Sequence, residues 1–221
     1  MHIFVNLGRL DWDAAAREQE RRAEARLRGL APDTVLFVEH EPVYTFGLRF
    51  RPESFRHGHD PDHPTYCGVP ARRVFRGGDA TYHGPGQLVV YPILRLDRAG
   101  PSLARLVRGY QAVVGGVLDE LGIAWTTRPD AVGVWTDRGK IASIGLGLRR
   151  GVTRNGFTLN VAVDPRPFDR IVPCGRPGDR VANITDFPGQ RISVDECRAL
   201  VEKHFILARA DGAGSLVEES R

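Results

Sequence analysis

A single α/β domain built around a mixed sheet is the fold this sequence predicts, and three observations predict it. Apolar runs of strand length are interspersed with three longer stretches of helical period, without regular strand–helix–strand repetition. No internal repeat and no linker-like shift in composition divides the chain. Its 221 residues, 42% apolar and 26% charged, suffice for one sizeable core.

The elements follow in order. HIFVN (2–6) and TVLFVE (34–39) read as strands. Between them a helix runs from Asp13 to Leu27, with Asp13 as its cap and Gly29 as its stop. Residues 51–68, rich in Pro, His, Gly and Asp, read as a loop. His57, His59, His63 and Cys67 are metal-ligand types, but their spacing implies no fixed geometry, so a mobile polar insertion is the preferred reading. Val74-Phe75 and Leu88–Tyr91 are two strands joined by a glycine-rich turn. Ser102 caps a helix whose apolar face runs from Leu103 to Leu121, and Gly122 stops it. Strands follow near 124–126, 133–135, 141–148 and 157–163, with a Gly-Lys turn at 139–140. Ser193-Val-Asp-Glu196 is a capping box opening a last helix to about Phe205. The expected domain is 1–208, with 209–221 a flexible tail.

Composition narrows the function classes. No run of eighteen apolar residues exists, so no transmembrane helix is predicted, and the first residues lack the pattern of a signal peptide. A cytoplasmic protein is expected. Cys67, Cys174 and Cys197 are far apart with no C-x-x-C spacing, which argues against a disulfide framework or a cysteine-built zinc site. The net charge of +4 is mild, and the arginines of 17–28 are interleaved with Glu18, Glu20 and Glu24 as on a solvated helix face. No nucleic-acid stripe stands out; an acidic protein partner is compatible. Of the 31 basic residues only Lys140 and Lys203 are lysine. A lysine kept in so arginine-rich a chain is a candidate for work that arginine cannot do, such as giving up a proton.

Arg76-Gly-Gly-Asp-Ala-Thr-Tyr-His-Gly-Pro-Gly-Gln87 is the densest glycine stretch. It lacks the G-K-[ST] ending of a phosphate loop and the G-x-G-x-x-G spacing of a dinucleotide turn. It also leads into a strand, so no helix N-terminus waits for a phosphate. A hairpin needing positive φ would use fewer glycines. Four of them, with Arg76, Thr81 and His83 between, suggest a backbone wall against a ligand.

Cys174 sits between Pro173 and Gly175, with Arg176 and Arg180 nearby. Such a loop thiol is accessible, and the cations favour its thiolate, whereas Cys197 is expected to pack inside its helix. Cys174 is therefore the nucleophile candidate. His83 and Lys140 are its candidate partners. An ammonium beside a thiol can share its proton near neutrality; a guanidinium supplies charge but no proton.

These motifs resemble one known family. Arg76–Pro92, His40-Glu-Pro-Val-Tyr-Thr-Phe-Gly47, Gly139-Lys-Ile-Ala-Ser-Ile-Gly145, Gly156-Phe-Thr-Leu-Asn160 and Ile171-Val-Pro-Cys-Gly175 resemble, in order, blocks of the octanoyl-acyl carrier protein:protein octanoyltransferases. The resemblance spans roughly residues 3 to 205. It implies the α/β fold shared with biotin and lipoate protein ligases, no cofactor and no metal. It also implies transfer from octanoyl-acyl carrier protein to a lysine of lipoyl domains, those of 2-oxoacid dehydrogenase E2 subunits and of the glycine-cleavage H protein. By this resemblance Cys174 carries the acyl thioester and Lys140 tunes it. Substrate contacts fall on Arg76, Gly77, Gly78, Asp79, Ala80, Thr81, Tyr82 and His83, on Ser143, Ile144 and Gly145, and on Gly156, Phe157 and Thr158. Backbone donors for the carbonyl oxygen are expected around 77–78 and 145. One departure stands out: Asn155 replaces a histidine common in the family, so no titrating group is expected there. The rival readings are an ATP-dependent lipoate or biotin ligase, which needs the lysine but no cysteine nucleophile, and a non-catalytic acyl- or lipoyl-domain-binding module.

Overall fold

The computed structural model describes residues 2–57, 62–96, 102–172 and 178–210, with side chains described to residue 208. Two mixed sheets, rather than one, carry the fold. The larger has seven strands in the order β1 (Ile3–Leu10), β2 (Thr34–His40), β7 (Gln87–Ile93), β11 (Val152–Asn160), β10 (Gly139–Arg149), β9 (Ala131–Thr136), β8 (Thr126–Arg128). The smaller has four, ordered β4 (Thr65–Tyr66), β5 (Val69–Arg73), β3 (Val43–Phe46), β6 (Ala80–His83). Among the described strands only β1–β2 and β3–β5 pair in parallel. Three helices pack on the sheets: α1 (Trp12–Leu27), α2 (Leu103–Glu120) and α3 (Val194–Ala210).

The helix ends follow their sequence signals, with one shift. Asp11, not Asp13, caps α1, its carboxylate accepting from Ala14 N–H at 2.7 Å. Asp13 lies one residue inside the helix and pairs with Arg72 at 2.9 Å. Ser102 caps α2 by accepting from Arg105 N–H. The Ser193–Glu196 capping box forms reciprocally, and α3 runs five residues past Phe205.

The core lies on both faces of the large sheet. Leu106, Tyr110, Val113 and Val117 of α2 pack with Val201 and Phe205 of α3 over Phe37, Leu88, Phe157 and Leu159. Burying each such side chain is worth roughly 1.5–3 kcal/mol. On the other face α1 presents Ala15, Gln19 and Ala23, one stripe at helical spacing, to Leu36, Val89 and Tyr91. Cys197 is fully buried in the first core, as expected, and burial pushes its thiol up to about 12.

The glycine-rich stretch is not a hairpin turn. Val74-Phe75 belong to no strand; residues 80–83 form β6 inside the stretch, and the chain then leaves the small sheet to become β7 of the large one. The 51–68 segment also departs from a plain loop. It forms a 3-10 turn at Pro52–Ser54 and strand β4, and it buries Phe55 and Tyr66 against Tyr44, Tyr82 and Phe168. Among the described residues no cluster of metal-ligand side chains forms; His59 of the proposed quartet lies outside them. No helix among them is long and apolar enough to cross a membrane.

Candidate active site

The seam where the two sheets meet builds the site. β10 and β11 pair Ser143 with Thr158, Ile144 with Phe157, and Gly145 with Gly156. All six of these predicted residues therefore share one patch of sheet. Opposite them run Arg76, Gly77 and Gly78. Gly77 N–H donates to the Leu146 carbonyl at 2.8 Å, so the two walls touch through backbone. A methyl group on Gly145 would stand 3.1 Å from the Gly77 carbonyl oxygen, and one on Gly156 would overlap the Val90 carbonyl. The glycines thus bring backbone against backbone.

Between the walls is a slot of about 510 Å³, counting its open mouth. It is lined by Arg76, Gly77, Gly78, Thr81 and His83 from the glycine-rich stretch, and by Ser143–Gly145 and Gly156–Thr158. Trp12, Thr45, Val74, Val89, Tyr91 and Asn155 complete the lining, and none of them was among the expected contacts. Thr45 lies inside the His40–Gly47 block, which was the available signal; Trp12 and Val74 carried none. Three expected contacts fall elsewhere. Ala80 and Tyr82 alternate away from Thr81 and His83 on β6 and point into the aromatic core of the small sheet. Asp79 faces a neighbouring chamber, and its carboxylate is committed: it accepts from Ser54 Oγ at 2.5 Å and from the amides of Arg51 and Ala80.

The slot's polar groups form one buried chain. Arg76 donates to Thr45 Oγ1 at 2.9 Å, and Thr45 Oγ1 is 3.1 Å from His83 Nε2. His83 Nδ1 is 2.7 Å from Gln87 Oε1; Gln87 Nε2 donates to Asn160 Oδ1, and Asn160 Nδ2 donates to the carbonyls of Lys140 and Ala182. Because both Asn160 partners at its nitrogen are carbonyls, the direction is fixed along the chain: Gln87 Oε1 accepts, His83 carries its proton on Nδ1, and Thr45 donates to Nε2. Burial, helped by the neighbouring His40 and Arg76, lowers His83 to about 3. It is neutral with both nitrogens engaged, which removes it as the base for a thiol. His40, bonded to Tyr91 Oη at 2.8 Å, is likewise lowered by burial to about 4.

Lys140 lies in strand β10, not in a turn; the turn is Asp137-Arg138. A β-bulge separates Lys140 from Ala142. The lysine is 5% exposed, and its Nζ stands 4.9 Å from the Trp135 ring, whose other cation neighbour is Arg128 at 4.8 Å. It lines a chamber of about 1450 Å³, counting the solvent at its mouth, that shares Gly77, Gly78, Ile144 and Gly145 with the slot. Lysine and slot are thus contiguous.

Cys174 lies outside the described residues. The chain on both sides of it is anchored. Val172 N–H donates to the Ser54 carbonyl at 2.7 Å, Tyr66 Oη donates to the Arg170 carbonyl, and Phe55 bridges Ile171. On the far side Lys140 N–H donates to the Arg180 carbonyl at 2.7 Å. The 51–68 segment is therefore a platform for the chain that leads to Pro173. Asn155 has φ +58, a left-handed conformation that asparagine adopts readily; its amide donates to the Phe75 carbonyl and its backbone N–H to Gln19 Oε1.

Among solved structures, a bipartite lipoate protein ligase with its E2 lipoyl domain from Thermoplasma acidophilum matches with a TM-score of 0.69 at 20% identity, over 95% of this chain and 84% of that one. The biotin protein ligase of Aquifex aeolicus in complex with biotin and ATP matches with a TM-score of 0.56 at 14% identity, over 96% and 73%. These likenesses show the fold. The family model of the lipoyl protein ligase A/B catalytic domain matches residues 13–206. An octanoyltransferase of Geotalea uraniireducens is 41% identical over 91% of this chain and 90% of its own. The chain belongs to the lipoyl protein ligase A/B catalytic domain family.

Proposed function

We propose that this protein transfers an octanoyl group from octanoyl-acyl carrier protein to a lysine of lipoyl domains, by way of a thioester on Cys174. Identity of about 40% to octanoyltransferases over nine-tenths of the chain supports the octanoyl transfer. The observation that carries the mechanism is the continuity of an apolar-walled slot with the chamber holding Lys140.

Cys174 gives its proton to Lys140 and its thiolate attacks the donor thioester; a new thioester forms, the bond to the carrier sulfur breaks, and the carrier thiolate takes that proton from Lys140 as it leaves. The ε-amine of the acceptor lysine then attacks this thioester. An amide forms, the Cys174 sulfur leaves, and Lys140 moves the amine proton to it. The amide is more stable than the thioester, so neither ATP nor a cofactor enters. The acyl chain lies in the slot against Val89, Phe157 and Thr158, with Arg76 holding the wall rather than reacting. Gly77 N–H is committed to Leu146, so the donors for the carbonyl oxygen are the Gly78 amide on that wall and the Gly145 amide opposite. Acceptors are lipoyl domains of 2-oxoacid dehydrogenase E2 subunits and the glycine-cleavage H protein. Residues 1–208 form the catalytic unit, and the enzyme works in the cytoplasm, where its thiol stays reduced.

Intact-mass analysis after incubation with octanoyl-acyl carrier protein tests the scheme. An octanoyl adduct that disappears in Cys174→Ala and passes to an added apo lipoyl domain is expected. Transfer that requires ATP and free octanoate would replace this reading with the ligase; no transfer under either condition would leave a binding module.

A further inference from the structure

The slot is the middle of three contiguous spaces. On one side it shares Gly77, Gly78, Ile144 and Gly145 with the chamber of Lys140. On another it shares Trp12, Val74 and Asn155 with an open rear chamber of about 800 Å³, counting the solvent at its mouth, lined also by Ala16, Phe75, Arg149 and Arg154. Among the described residues none lines both outer chambers. The partition toward the rear is therefore remote from the lysine. Asn155 is pinned there, its amide on the Phe75 carbonyl and its backbone on Gln19. Val74 is a short, buried side chain. Trp12, at the first turn of α1 and half-buried, is the one large side chain in the partition among the described residues.

We propose that Trp12 closes the end of the slot remote from Lys140 and sets the length of acyl chain that the enzyme accepts. The inference rests on the reading of the slot as the acyl site. A chain whose carbonyl lies toward Lys140 points its methyl end at the indole. Beyond the indole, Ala16 and the half-exposed Phe75 ring offer apolar surface to a longer chain. Arg154 in that chamber is held by Glu20 at 3.0 Å, so its charge is turned to a partner. Removing the indole joins the two spaces. Ala16 stands one helical turn from Trp12 on the same face, so a larger residue there refills the gap.

The test compares octanoyl-, decanoyl- and dodecanoyl-acyl carrier protein as donors to an apo lipoyl domain. Trp12→Ala is expected to raise the dodecanoyl-to-octanoyl ratio of kcat/KM by about tenfold or more, the scale on which pocket length discriminates methylenes. Adding Ala16→Phe to Trp12→Ala should restore the original ratio, and Trp12→Leu should fall between. An unchanged ratio with transfer retained overturns the proposal. A uniform loss for all three donors in both Trp12→Ala and Trp12→Leu also overturns it, because Trp12 would then serve stability alone. Failure of the unmodified enzyme with every donor sinks the transfer reading instead. Calorimetric binding of octanoate against dodecanoate then reads the same gauge, and an unchanged preference between Trp12→Ala and the unmodified protein overturns it.

Discussion

Lys140 and Arg180 are joined main chain to main chain: the Lys140 amide donates to the Arg180 carbonyl at 2.7 Å, and two residues on, Ala182 donates back to the Lys140 carbonyl at 3.0 Å. The strand that carries the ammonium thus holds the chain that leaves the Pro173–Pro177 segment. Gly139 makes this possible. It has φ +142, and a methyl group there would overlap the Arg180 carbonyl. Gly139→Ala should push the two chains apart and lower kcat by about tenfold to a hundredfold, the scale of a small misplacement of reacting groups. The measurement is transfer rate beside thermal melting; activity tracking the melt alone would sink the idea.

Lys140→Arg keeps a positive charge but gives no mobile proton, and its planar head must sit where an ammonium faces Trp135. The fold should persist, with octanoyl transfer down by about 10²-fold or more. Single-turnover kinetics of acylation and deacylation locate the loss. A variant as fast as the unmodified enzyme removes the proton-moving role.

His83 and His40 make stability depend on pH. Their folded pKa values, about 3 and about 4, lie below the unfolded histidine value near 6.5. The unfolded chain therefore binds more protons between these limits, so stability is full above about pH 6.5 and falls as pH drops toward 4. Each group contributes a slope of up to about 1.4 kcal/mol per pH unit. Urea unfolding at a series of pH values should show the decline, and His83→Gln should lower stability at pH 7 yet flatten it. An equally steep decline in His83→Gln would contradict the buried neutral assignment.

Asp79 is expected to matter for stability. Asp79→Ala leaves Ser54 Oγ and the amides of Arg51 and Ala80 without their acceptor. Unsatisfied buried donors cost about 1–3 kcal/mol each, so a loss of about 3 kcal/mol in chemical denaturation is expected, against about 1 kcal/mol for Ser54→Ala. Equal losses in the two variants would show that Ser54 is the only group Asp79 serves.

Much of this molecule was legible along the chain because the signals are local. Ser102, Ser193 and Glu196 act on backbone donors within three residues, so the caps of two helices could be read from spacing. The residues of β10 and β11 that face the slot, Ser143–Gly145 and Gly156–Thr158, lay in motif blocks that carry a family resemblance. The shift of the α1 cap from Asp13 to Asp11 shows the limit of such signals: both carboxylates suit a cap, and the Asp13 pairing with Arg72 is long-range.

The sequence by itself determined the α/β class, most of the elements, the family and the two residues proposed to do the chemistry. Only the tertiary structure decided what the glycine-rich stretch is: a strand of one sheet that crosses to another, with Gly77 set against β10 and Gly86 against the Ala162 carbonyl. Only it removed Ala80 and Tyr82 from the slot, neutralised His83, and gave the 51–68 segment its work as a platform under Arg170–Val172. The reason is physical. Caps and periodicity are set within a turn of helix or a run of strand, whereas burial, tautomer and close backbone approach depend on what the rest of the chain brings alongside.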